Sequence, residues 1–498
     1  HDWQFSMWQR VWFLVCVWGL PGGWARPNII FIVADDVGFN DAPWKDNGLH
    51  NPYLKKLSQR GVILDQYYVP STCSPSRASM LTGYYPHHIG LQGGISPLSA
   101  DGLPLSFQLL PQQLKSLGYT THAIGKWHLG FCAKEYLPTR RGFDTFLGKF
   151  LGSGDHFNYT KTTQDGRGRK QEGYDLRRNE EVYKINTSYY SSNLFVDEAI
   201  NIINRQPRNI PFYIYLSFQA PHAPLQVPKR YMKRCHHLRK ERKLFCGMMN
   251  AIDRGVRRIM RAVRRTQKMN DTLLVFTTDN GGLEKFGSDN SPLRGSKNSL
   301  WEGGTRGTAF IHGYKIKTSG VFKGLMHAAD WYPTILRAAG YKPIKFDPID
   351  GVSQWKALCG SGHRKRLEMV QGIIIKKKAT ELAIRIRDFK LVWHTRNTSE
   401  LLGHRPPRLS SVPEFKGDLL YLFNITEDPM ERHDLKYNHP KIVNHLKIRL
   451  LSHLVSVVVP TFGQITPKGS PSRFGGAFSP GWCEPKKLTH FLRDVSQL

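Results

Sequence analysis

The sequence predicts an α/β fold: a large, mostly parallel sheet flanked by helices, followed by a smaller C-terminal domain with an antiparallel sheet and a helix. Three observations predict it. Apolar runs of strand length alternate with helix-period segments through the first 360 residues. Each run stops at a cluster of polar, chemically capable side chains. After residue 360 the chain turns into short strands with little helix between them.

The first run, Asn-Ile-Ile-Phe-Ile-Val-Ala at 28–34, ends in Asp35-Asp36. A continuous apolar run of this length reads as a parallel strand buried on both faces. Residues 119–124 precede Gly125-Lys126-Trp127-His128, residues 212–218 precede Gln219-Ala220-Pro221-His222, and residues 273–277 precede Thr278-Asp279-Asn280. Helical patterns fill 105–117, 189–204 and 246–264. Open α/β sheets bind ligands beyond the carboxyl ends of their strands, so these four clusters are expected on one rim. Past residue 360, strands are expected at 372–375, 382–386, 390–393 and 418–424, with a helix at 442–457. Residues 461–485, rich in Gly, Pro and Ser, read as an irregular tail.

A chain of 498 residues with 40% hydrophobic and 12% aromatic content can bury a large core, which excludes a disordered class. Its 71 Lys plus Arg against 39 Asp plus Glu give a formal charge of +32, which implies polyanionic partners or an acidic working compartment. No helix-turn-helix, zinc-finger or RRM pattern accompanies the charge, so nucleic acid is not the expected partner. A sulfated polysaccharide satisfies the same electrostatics. Residues 1–25 read as leader and signal peptide: Arg10 supplies the positive start, 11–20 is too short to span a bilayer, and Gly23-Trp24-Ala25 offers a cleavage site. No later segment is apolar enough to span. The expected destination is the secretory pathway, ending in the lysosome or outside the cell. Five N-x-S/T sequons, at Asn158, Asn186, Asn270, Asn397 and Asn424, agree. Domain boundaries are expected at 26–360 and 361–498. Among the cysteines, Cys235 and Cys246 are the expected disulfide, leaving Cys132, Cys359 and Cys483 without a clear pairing.

Residues that could carry chemistry recur at the strand ends. Cys73-Ser74-Pro75-Ser76-Arg77 reads as a turn leading into a helical run, where free N–H groups suit an anion. A lone Cys is most often a buried structural thiol. Asp35, Asp36, Asp279 and Asn280 offer hard oxygen donors that suit Ca²⁺ or Mg²⁺; an isolated Asp pair is more often a cap or turn, but the recurrence at a second strand end weighs against that. Lys126 and His128 lie two apart on an extended segment and share a face, although an isolated pair of this kind is commonly a solvated surface feature. His222 is held between two prolines, and Lys297 sits in a Gly-containing loop; taken alone, each would be read as structural or surface.

Residues 73–83, Cys-Ser-Pro-Ser-Arg-Ala-Ser-Met-Leu-Thr-Gly, resemble the sulfatase-family signature C-x-P-S-R-x-x-x-L-T-G at every defined position. Gly118 to His128 resembles the family's second signature, G-Y-x-T-x-x-x-G-K-W-H. The resemblance runs from about residue 27 to 460 and implies an alkaline-phosphatase-like fold, with 26–360 as the catalytic domain. It implies that Cys73 is oxidised to formylglycine by the formylglycine-generating enzyme, and that the aldehyde hydrate is the nucleophile. One Ca²⁺ would be held by Asp35, Asp36, residue 73, Asp279 and Asn280. Arg77 would orient the hydrate, Lys126, His222 and Lys297 would bind the sulfate, and His128 would take the proton that lets the aldehyde reform. Residues 137–144, 224–228, 300–304 and 427–435 are similar to the arylsulfatase B branch, including arylsulfatases I and J, which implies N-acetylgalactosamine-4-sulfate units of dermatan or chondroitin sulfate as substrate. Three features depart from that branch: Ala223 where it usually carries Glu, few cysteines, and the strongly basic balance. The competing readings are a phosphate or phosphonate ester hydrolase of the same superfamily and a non-catalytic polyanion-binding protein.

Overall fold

The structure is a computed structural model that describes residues 26–485, apart from 46, 186–188, 343–347, 363–365, 377–378, 396–418, 459, 461–462 and 464. The expected leader and signal peptide and the sequons at Asn186 and Asn397 lie outside the described residues. Ten strands form one sheet in the order Gly320–His327, Val62–Tyr68, Ala309–Gly313, Thr272–Thr278, Asn28–Ala34, Phe212–Ser217, Thr120–Lys126, Thr145–Lys149, Arg177–Arg178 and Glu181–Val182. The five from Thr272–Thr278 to Thr145–Lys149 are mutually parallel, and antiparallel strands flank them on both sides. The fold is therefore the mostly parallel α/β sheet expected, with mixed edges.

Alternation along the central strand builds two cores. Ile29, Phe31 and Val33 face one apolar cluster, while Ile30, Ile32 and Ala34 face the other. Helices Cys73–Thr82, Leu110–Ser116 and Trp331–Ala338 cover the first face. Ser191–Arg205 and the long helix Lys240–Arg265 cover the second. In that long helix Phe245, Met248, Met249, Ile252, Val256, Ile259 and Val263 recur at three- and four-residue spacing and are buried, while Arg254, Arg257, Arg261, Arg264 and Arg265 face water.

Four antiparallel strands, Glu368–Lys376, Ala379–Ile386, Phe389–Thr395 and Leu419–Asn424, make the second sheet, against which helix Pro440–Leu454 packs. The tail does not stay with it. Disulfide Cys132–Cys483 and the packing of Phe478 and Trp482 on Phe131 bring residues 477–483 back to the large sheet. Disulfide Cys235–Cys246 forms as expected, and Cys359 is a free thiol. Among the described residues, no helix is long and apolar enough to cross a membrane.

Two local expectations need correction. Cys73 and Ser74 do not sit on a turn: the helix begins at Cys73, with Thr72 extended before it. Pro75 falls in the first helical turn, where its missing N–H leaves no hydrogen bond unmade. The helix expected over 105–117 is confined to Leu110–Ser116.

Candidate active site

The Cys73–Thr82 helix is buried along its whole length, so its residues are placed by packing on every side. Ser76 Oγ donates to Thr72 O (3.0 Å) and Pro70 O (2.9 Å), fixing the entry of the chain. Arg77 lies four residues after Cys73 and therefore on the same helical face. Its side chain is fully buried; Nε and Nη2 donate to Asp279 Oδ2 at 3.1 and 2.8 Å, Nη1 donates to Ser217 Oγ, and Asp35 Oδ2 is 3.8 Å from Nη2. That clasp turns the face carrying Cys73 into the carboxyl ends of three parallel strands. The Cys73 sulfur is close enough that a negative charge on it would favour the cationic forms of Arg77 and Lys297.

Asp35 and Asp36 follow one strand, and Asp279 and Asn280 the next, and all four are buried. Asp36 takes a left-handed conformation (φ 62°), costly backbone of the kind that gathers at functional sites. Its N–H donates to Asp279 Oδ1 (3.3 Å), and Asn280 Nδ2 donates to Asp36 Oδ1 (2.6 Å). Burial alone would raise the Asp35 carboxyl, but Lys126, His222 and Arg77 outweigh it and hold the group below the usual range. Burial acts likewise on Asp36, and His222 and Lys297 reverse it. Asp35 Oδ1 and Asn280 Oδ1 are buried acceptors that meet no donor among the described residues. Unsatisfied hard oxygens beside three carboxylates fit a divalent cation of the Ca²⁺ or Mg²⁺ kind.

The four remaining candidates ring this cluster. Lys126 Nζ is 2.7 Å from Asp35 Oδ2, Lys297 Nζ bonds Asp36 Oδ1, and His222 Nε2 is 3.6 Å from Asp36 Oδ2. His222 Nδ1 lies 2.6 Å from the carbonyl of Ala223, the residue at the departing position. His128 sits just past the Thr120–Lys126 strand with φ 55°. Its Nε2 is 3.1 Å from the carbonyl of Ile95, so Nε2 carries the proton and Nδ1, buried without a partner among the described residues, is the free base. Burial, aided by Lys126 and Arg77, holds this imidazole neutral, well below its ordinary range. The structure thus brings together every residue singled out in the sequence: Cys73, Arg77, Lys126, His128, His222, Lys297, Asp35, Asp36, Asp279 and Asn280.

Other residues join them unannounced. Lys149 ends the neighbouring strand in register with Lys126 and donates to Gln219 Oε1 (2.8 Å). Burial pushes its pKa down to about 8. His156 bonds Gln219 Nε2 (2.9 Å), and burial beside Lys149 pushes it down to about 3. The signal for Lys149 was its place at the end of a short strand, Thr-Phe-Leu-Gly-Lys, too brief to stand out as an apolar run. Chemically, three carboxylates balance three permanent cations around one buried thiol; a divalent cation would make the pocket net positive and suited to an anion.

Residues 27–341 match the protein-family model described as Sulfatase. The chain is 34% identical over 494 residues to mouse arylsulfatase J, covering 93% of this chain and 82% of that protein. It is 29% identical over 354 residues to human N-acetylgalactosamine-6-sulfatase, covering 67% and 66%. Among solved structures, that of Ps i-CgsB in complex with k-i-k-neocarrahexaose aligns with a TM-score of 0.75 at 27% identity, covering 90% of this chain and 97% of that one.

Proposed function

This chain belongs to the sulfatase family and is a sulfuric ester hydrolase, and from that premise we propose that it removes sulfate from N-acetylgalactosamine-4-sulfate units of dermatan or chondroitin sulfate, through a formylglycine made from Cys73. One observation carries the reading: Arg77, a single helical turn beyond Cys73, binds Asp279 and approaches Asp35, tying the nucleophile position to the metal-type carboxylates.

Asp35, Asp36, residue 73, Asp279 and Asn280 would hold Ca²⁺, which supplies positive charge where the transferred SO₃ group gathers negative charge. Oxidised and hydrated, residue 73 supplies two hydroxyls, one to attack sulfur and one whose deprotonation lets sulfate leave, an exit that a Ser or Cys nucleophile lacks. Lys126, Lys297 and His222 bind and orient the sulfate oxygens. Arg77 fixes the helix and screens the anion. His128 accepts the proton at Nδ1, the nitrogen that Ile95 leaves free. Lys149 adds a cation beside Lys126. The family generally uses a formylglycine and a divalent metal; Ca²⁺ is the proposed ion here. The residue 26–360 portion is proposed as the catalytic domain and 361–498 as the smaller one. Passage through the secretory pathway, with the formylglycine-generating enzyme as a maturation partner, is part of the same proposal. The sequon residues Asn158 and Asn270 are exposed, as glycosylation needs.

Mass spectrometry of the residue-73 peptide from the natural host tests the nucleophile: conversion of thiol to aldehyde lowers the mass by about 18 Da. An unmodified thiol would overturn it. Turnover of 4-sulfated against 6-sulfated galactosaminoglycan disaccharides tests the substrate, with the 4-sulfate expected to be faster. Faster turnover of nitrophenyl phosphate than of nitrophenyl sulfate would return the chain to ester hydrolysis of another kind.

A further inference from the structure

A second cluster of ligand-type side chains lies where the Cys73–Thr82 helix gives way to Pro86–Ile89 and where helix Pro440–Leu454 ends. His87, His88 and His453 meet there, each offering a ring nitrogen within 4.8 Å of the other two. Ligands sharing a Zn²⁺ at about 2.0–2.1 Å lie roughly 3.3 Å apart, a gap that small rotations of the rings would close.

The hydrogen bonds around these rings match those of metal-binding imidazoles. His88 Nδ1 lies 2.8 Å from Asp350 Oδ2, and His453 Nε2 lies 3.0 Å from Glu368 Oε1. An imidazole that gives one N–H to a carboxylate has its tautomer fixed and its other nitrogen made more basic. The other nitrogen of His88 is 2.7 Å from the exposed hydroxyl of Ser456. His87 is 1% exposed, and its Nε2 is buried with no hydrogen-bond partner among the described residues. A buried, unsatisfied ring nitrogen beside two carboxylate-backed imidazoles needs an acceptor for its lone pair or its proton.

We propose that His87, His88 and His453 form a second metal site, taking Zn²⁺ or a similar borderline transition metal, which clasps the C-terminal helix to the segment that follows the catalytic helix. Three imidazole nitrogens select such ions over Ca²⁺ and Mg²⁺, which take oxygen donors. The site is separate from the carboxylate cluster: among the described residues no hydrogen bond or ion pair joins these histidines to Asp35, Asp36 or Asp279.

The test uses the full-length protein held in excess Ca²⁺, so that oxygen-donor sites are saturated, and titrated with Co²⁺ as the probe. The wild type is expected to take up one equivalent with a visible d–d band, to lose that band on adding Zn²⁺, and to melt at a higher temperature with either ion. His453→Gln lies on a partly exposed helix face and is expected to weaken binding at least tenfold without changing the melting temperature in EDTA. His87→Gln should act likewise, and exposed His445→Gln should bind as the wild type does. Failure of the wild type to bind Co²⁺ or Zn²⁺, or wild-type affinity in His453→Gln, overturns the site. Neither outcome bears on the oxidation of Cys73.

Discussion

At the scale of single residues, the candidate site was legible wherever chemistry coincided with a strand end. Asp35, Asp36, Asp279 and Asn280 stand directly after apolar runs, and Lys126 and His128 close another. What could not be read was the residue whose contribution is to have no side chain. A Cβ on Gly152 would lie 2.4 Å from His128 Cε1 and 2.5 Å from Nε2. Nothing in Phe-Leu-Gly-Ser-Gly announces that, because the imidazole arrives from a different strand. Gly152→Ala must therefore turn the ring away from Ile95 and carry Nδ1 with it. General-base catalysis is worth about 10²–10⁴-fold, so kcat for a nitrophenyl sulfate is expected to fall at least about tenfold with KM nearly unchanged. Steady-state kinetics decide it: an unaltered kcat would remove His128 from the proton transfer.

At the scale of elements, the central strands were legible because burial on both faces leaves an unbroken apolar run. The flanking strands were not. Val62–Tyr68 and Gly320–His327 carry Asp65, Gln66 and Lys323 among their apolar residues, and lie toward the edge of the sheet. Two segments singled out in the sequence, 300–304 and 427–435, proved to have a joint structural purpose. Glu302 and Glu431 both turn onto Lys390 of the second sheet, at 3.0 and 2.8 Å, and all three side chains are fully buried. Burial would raise Glu302, but Lys390, Arg306 and Arg385 hold it at about 2; burial raises Glu431. Lys390→Met leaves two buried carboxyls facing each other and is expected to cost about 3–5 kcal/mol in denaturant unfolding. Adding Glu431→Gln should recover part of the loss, and no recovery would show that the damage is to packing. The pairing of Cys132 with Cys483 was invisible for a different reason: a bond across 351 residues leaves no local spacing to detect. Cys483→Ser is expected to cost about 2–4 kcal/mol and to open the tail around Phe478 and Trp482 to limited proteolysis. Resistance equal to the wild type would mean that packing alone holds the tail.

At the scale of the whole molecule, the fold class followed from strand–helix alternation, while the pH response follows from burial that only the fold reveals. Among the described residues, four imidazoles are deeply buried and held neutral: His156, pushed down to about 3 by burial beside Lys149; His128, lowered by burial with Lys126 and Arg77; His327, lowered by burial with Arg366; and His87, lowered by burial beside His88 and His453. Their unfolded forms titrate near 6.5, so each contributes stability that is present above that pH and is lost as acidification protonates the unfolded chain first. For His156 the loss by pH 5 is about 2 kcal/mol. Buried carboxyls oppose this: Asp41, Asp253, Asp175 and Glu431 are all raised, by burial above all. Burial raises Asp41 and Asp253 to about 6 each, against Arg242 at Asp41 and backbone N–H donors at Asp253. A raised carboxyl favours the folded state most at low pH, and that contribution returns as the pH falls through 6, by about 1.4 kcal/mol for each of these two at pH 5. The four imidazoles outweigh the raised carboxyls in the window from 6.5 to 5, so the melting temperature is expected to be lower at pH 5 than at pH 7.5. Calorimetry at the two pH values decides it, and His156→Gln should flatten the difference if that variant folds. A protein most stable near neutrality fits the extracellular form of the localisation proposal better than the lysosomal one; a higher melting temperature at pH 5 would reverse that preference, because the carboxyls would then dominate.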